Sequence, residues 1–151
     1  MKKQILKFPI LLRFLSIIQF IVALTICLKG NESLQTIYFI SILSLIVILI
    51  LLFSRLTIII DNDHIKYSFF PFIPFYKVLN RKDIKKVYIG NLNDFYSTIG
   101  WGIRYSAKYG WGYILDSEKV IYIELYSGKN VLLSIKNEDD FLSYLKYSSS
   151  N

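Results

Sequence analysis

The sequence has one cysteine, Cys27, and one histidine, His64. A single cysteine excludes an intramolecular disulfide and fits a reducing compartment. Cys27 lies in an apolar run and His64 beside a turn signal, so the two do not form a nucleophile–base pair. The acidic residues show no metal-ligand spacing, and no glycine-rich loop opens a helix as a phosphate cradle does. The chain is therefore not expected to be an enzyme or to hold a metal or cofactor. Acidic charge is also sparse, with eleven Asp and Glu against eighteen Lys and Arg, a net +7. Residues 1–53 carry five basic side chains and one acidic, and residues 54–151 carry thirteen and ten. The resulting +3 after residue 53 is too weak for the basic stripe that nucleic acid requires. The larger excess flanks apolar segments and suits an anionic lipid surface.

Apolar and aromatic residues are plentiful, at 54% and 17% of the chain. No charge occurs between Ser33 and Ser54, and 37–53 is almost wholly Ile, Leu, Val and Phe. About 20 helical residues span a ~30 Å hydrocarbon core, which predicts transmembrane helices at about 10–28 and 34–53. The first includes Arg13, whose aliphatic stem could snorkel to the headgroups. Lys29-Gly30-Asn31-Glu32-Ser33 reads as the turn of an antiparallel hairpin, and the second segment lacks the striping of a soluble helix. Lys2, Lys3, Lys7 and Arg13 precede the hairpin and Arg55 and Lys66 follow it, which predicts a multi-pass protein of the inner (plasma) membrane with both termini cytoplasmic. Met1-Lys2-Lys3 before an apolar stretch also imitates a signal peptide. However, a small-x-small cleavage site is missing, and Ile26 precedes Cys27 where a lipoprotein site needs a small residue.

Beyond Arg55 the pattern alternates with period two. Strands are predicted at 56–60, 64–70, 84–89, 101–105, 112–115, 120–125 and 131–135, with Asp61-Asn62-Asp63 as a tight turn. Ile121, Ile123 and Leu125 share one face of the final hairpin, opposite Val131, Leu133 and Ile135, and should point to the core. A helix should follow over 137–145, with Asn137 as N-cap and acidic residues in its first turn. The predicted fold is α+β: a two-helix transmembrane hairpin (1–54), a seven-stranded barrel or sandwich with a C-terminal helix (55–147), and a frayed tail (148–151).

Ile99-Gly100-Trp101-Gly102-Ile103-Arg104, Gly110-Trp111-Gly112-Tyr113, the hairpin through Ser127-Gly128-Lys129 and the terminal helix resemble a bacterial family of small membrane-anchored pleckstrin-homology-like proteins. By pattern the resemblance covers most of 56–145. It implies a helical hairpin followed by a barrel. Eukaryotic relatives bind phosphoinositides through basic side chains near the first strand turn; here that turn is acidic and would repel a phosphate. Some bacterial members are associated with self-protection against membrane-active bacteriocins, and others with envelope-stress or scaffolding roles.

Three groups of residues are candidate surfaces. Phe69-Phe70-Pro71-Phe72-Ile73-Pro74-Phe75-Tyr76 is too proline-rich for a central strand. As a loop it would either face lipid or a partner, or fold its rings under the barrel. Trp101 and Trp111, each between glycines, would anchor at headgroups or pack in the core. Lys77, Arg81, Lys82, Lys85 and Lys86 would face anionic lipid or form a solvated face. The expectation is a non-catalytic, membrane-tethered module binding a protein partner or itself. The alternatives are an immunity protein against a membrane-active bacteriocin and a module for anionic lipid surfaces.

Overall fold

The computed structural model describes residues 1–30, 33–95, 101–115, 117–142 and 144. They form two compact units, Phe8–Ser54 and Met1–Lys7 together with Arg55–Asn151.

The first unit is a pair of helices, α1 (Ile10–Lys29) and α2 (Leu34–Phe53). Pro9 precedes α1, where its fixed φ suits a helix start. The Ser33 hydroxyl caps α2 by accepting from the Thr36 N–H at 3.3 Å. Both helices are long and apolar enough to cross a membrane. A core helix of a soluble protein would be covered, whereas no residue of α2 is buried and α1 buries only Ser16 and Cys27.

The second unit is built from nine described strands in two sheets. In the first, β1 (Lys2–Lys7), β2 (Arg55–Ile60), β3 (His64–Phe70) and β4 (Ile73–Asn80) lie in chain order, all antiparallel. In the second, β5 (Ile84–Asn91), β6 (Gly102–Ser106), β7 (Gly110–Ile114), β8 (Lys119–Leu125) and β9 (Val131–Ser134) take the order β5-β8-β9-β7-β6. Only β7 and β9 run parallel. A 3-10 turn, Arg81–Asp83, carries the chain from one sheet to the other.

Strand alternation sets the core. Leu6, Leu56 and Phe69 lie in one row across β1, β2 and β3, and Gln4, Ile58 and Tyr67 in the next. All six are buried. Their face meets the second sheet at Tyr113, whose ring centroid is 5.4 Å from Tyr67 and 5.9 Å from Phe69. In the second sheet Ile121 pairs with Leu133 and Ile123 with Val131, as the alternation predicts. The opposite face is buried as well. Val120, Tyr122 and Leu132 are covered by Leu92 of the short helix α3 (Leu92–Phe95) and by Phe95 and Tyr109.

The structure corrects the sequence-based fold at several points. No strand pair joins the two sheets among the described residues, so this is an open pair of sheets and not a closed barrel. Residues 2–7, expected as the tail of the anchor, form β1. Residues 73–80, partly expected as loop, form β4. Proline is tolerated there because β4 pairs on one side only and its register slips between Tyr67 and Phe69. The expected helix begins as a 3-10 turn, Asp139–Phe141, with the Asn137 side chain accepting from the Asp139 N–H at 3.1 Å. Residues 145–147 of that helix, the tail 148–151, Ile99 and Gly100, and Asn31 and Glu32 of the helix turn lie outside the described residues.

Candidate functional site

The aromatic stretch 69–76 divides by strand position. Phe69 is fully buried and stacks on Phe72 at 5.7 Å. Phe70 lies under the Arg55 guanidinium at 5.7 Å. Beyond the Pro71 turn the rings are open to solvent: Phe72 is 53% exposed, Phe75 83% and Tyr76 47%. Only Phe69 follows the folded-under reading. Phe70 ends β3 and Phe72 lies in the turn, while Phe75 and Tyr76 stud β4, an edge strand with a neighbour on one side alone.

A groove of about 630 Å³ lies between β4 and the second sheet. Tyr67 and Tyr113 line it, their rings in contact. Burial pushes the Tyr67 hydroxyl well above the usual tyrosine range, and the charge and hydrogen bond of Tyr113 add to this. Burial also raises Tyr113, against the opposing effect of that bond. Trp111 lines the groove beside Tyr105, ring centroids 5.2 Å apart. Leu79, Leu125 and Val131 supply aliphatic wall. Lys77 and Lys129 are the only charged side chains among its described lining residues. Gly110 makes the geometry possible: its φ is +72°, and a Cβ there would stand 2.2 Å from the Asn130 carbonyl oxygen.

The basic cluster of the sequence is dispersed. Lys77 belongs to the groove. Lys85 pairs with Glu124 at 2.6 Å, while Lys82 and Lys86 are exposed. Arg81 supports the β2–β3 turn: its Nη1 donates to the Asn62 carbonyl at 2.9 Å, its N–H to the Asp63 carbonyl at 2.8 Å, and it lies 5.0 Å from the Tyr144 ring. The Tyr144 hydroxyl donates to the Asp61 carbonyl at 2.6 Å. Asp61-Asn62-Asp63 is thus held through its backbone by the chain's own cation and phenol. Trp101 and Trp111 are each about half exposed, at 46% and 50%, so neither is a core residue. The groove brings Trp111 and Lys77 together. Phe72, Phe75 and Trp101 are not among its described lining residues.

The chain matches no family model, no curated protein and no solved structure. Lys129, Tyr105, Tyr67 and Tyr113 were not singled out from the sequence as site residues. Their signal was weak: Lys129 sits in an ordinary hairpin turn, and the tyrosines read as strand material.

Proposed function

We propose that the chain is a non-catalytic module, tethered by its helical hairpin at the cytoplasmic face of the plasma membrane, whose pleckstrin-homology-like β domain binds a protein partner along β4. The observation that carries this reading is an eight-residue edge strand without acidic residues that exposes Phe75, Tyr76 and Val78, next to Phe72. An unpaired strand edge is a template for a partner's backbone, and exposed aromatics are the residues that anchor protein interfaces.

The tether is supported by the uncovered apolar surface of α2. It is also supported by connectivity, because the chain leaves β1 at Lys7 and re-enters at Arg55, its register partner. A segment that starts and ends at paired residues crosses a bilayer an even number of times. Cleavage of a signal peptide would also remove β1 from the sheet.

Replacing Phe72 and Phe75 with Ser should abolish crosslinking to the partner in cells while the thermal melt stays close to wild type. A melt that collapses in Phe75→Ser alone would assign that ring to the core and remove the proposed contact surface. For topology, Cys27→Ser chains carrying a single cysteine at Lys82 or Lys29 should be protected at 82 and labelled at 29 in intact cells. Labelling at 82 would place the β domain outside.

A further inference from the structure

We propose that the groove beside β4 is a binding site for a single-chain anionic amphiphile, a molecule with one carboxylate or phosphate head and one apolar tail. The site shares Val78 of β4 with the partner surface but not Phe72 or Phe75, which are not among its described lining residues. Its volume of about 630 Å³ falls in the range of small-molecule sites.

The chemistry selects the ligand from two directions. Lys77 comes from the first sheet and Lys129 from the turn between β8 and β9 of the second, and neither has an ion-pair partner among the described residues. By contrast Lys2, Lys85 and Lys119 are each matched to a carboxylate. An anion at the groove therefore meets two ammonium groups without displacing an internal partner. Burial keeps the Tyr67 and Tyr113 hydroxyls neutral, and no carboxylate among the described lining residues repels the head. Leu79, Leu125, Val131 and the faces of Tyr67 and Tyr113 give the tail a surface to leave water on. A bare inorganic anion would leave those walls unused, and a neutral amphiphile would leave both lysines unmatched.

Trp111 makes the site readable, because Trp101 is the only other tryptophan. The full-length Trp101→Phe chain, held in a zwitterionic nanodisc, would be titrated with octanoate carrying a bromine at its tail, and in parallel with the matching bromo-alcohol. Bromine quenches tryptophan on contact. Saturable quenching is expected with the carboxylate, at least about tenfold tighter than with the alcohol, a difference of one charged contact. Lys77→Ala with Lys129→Ala should weaken it to the alcohol's level. Both lysines are exposed, so the double variant should melt as the parent does. Quenching that rises linearly, is equal for acid and alcohol, or persists in the double-lysine variant would overturn the proposal. The Phe72→Ser, Phe75→Ser chain should quench as its parent does, which separates failure here from failure of the partner surface.

Discussion

Gln4 lies in β1, and both ends of its amide bond to the segment near the C-terminus. Its nitrogen donates to the Asn137 carbonyl at 2.7 Å and to the Asp140 carboxylate at 2.8 Å, while its oxygen accepts from the Lys136 N–H at 2.9 Å. Lys2 adds an ion pair to Asp140 at 3.0 Å. Gln4→Ala removes partners from groups that are partly buried, and should lower unfolding free energy by about 1–3 kcal/mol in a denaturant titration. For Asp140, burial pushes the carboxyl pKa up, but the hydrogen bonds from Lys2 and Gln4 and the Lys2 charge together hold it below its ordinary value. Its contribution is present above the usual carboxylate range and is lost as pH falls through the folded pKa, so Asp140→Asn should flatten that acid limb. Tyr144 has the opposite sign. Burial, opposed by Arg81 and helped by Asp61 and Asp63, raises its pKa to about 12. The unfolded phenol ionises near 10, so stability should fall as pH rises between about 10 and 12. Tyr144→Phe should remove that part of the alkaline loss in melts taken across the window. Gly110→Ala should cost at least about 1–3 kcal/mol, because the left-handed φ alone strains any other residue.

Among the elements, β9 and β4 mark the extremes. Leu132 is fully buried in a strand covered on both faces, so Leu132→Ala should cost about 2–5 kcal/mol. Phe75→Ser, on the exposed edge, should stay within about 0.5 kcal/mol. These two elements also show what the sequence discloses. The hairpin helices and seven of the strands were legible because uninterrupted apolar runs and two-residue alternation are local signals. In 120–125 the alternation marked only the Ile121 and Ile123 face as core, and the burial of Val120 and Tyr122 under α3 was not anticipated. β4 was misjudged because proline is a strong local breaker, and only knowledge of the edge makes it acceptable. β1 was misjudged because Lys2 and Lys3 before a helix look like topological charge, which masks the alternation of Gln4 and Leu6. The groove was legible only in part. Lys77 and Trp111 stood out by composition, but strands distant in sequence had to meet before Lys129 and Tyr113 joined them. The basic cluster shows the converse, since neighbours in sequence fall on β4, the 3-10 turn and β5.

For the whole molecule, the two sheets depend on a strand that lies before the helical hairpin. Deleting residues 2–7 would expose the inner row of β2, where Leu56 and Ile58 lie opposite Leu6 and Gln4. The truncated chain should lose cooperative unfolding of the β unit in a thermal melt, while a Lys3→Gln, Lys7→Gln chain, which keeps the strand and loses two exposed charges, should keep it. That comparison separates a structural role for residues 2–7 from a purely electrostatic one in membrane orientation.

The bond between Gln4 and Asn137 joins residues 133 positions apart, which gives the protein a fixed order of biogenesis. At roughly 5–20 residues per second of synthesis, Gln4 is joined to the chain about 7–27 s before Asn137. Within that interval the hairpin and then β2 are made, and β1 gains its one strand neighbour. β1 thus pairs with β2 first and gains its side-chain bonds to residues 136–140 only afterwards. A chain interrupted between residues 60 and 136 can pair β1 with β2 but leaves the Gln4 amide without its partners. The contacts of Gln4 with residues 136–140 are therefore the last that β1 gains as the chain is made.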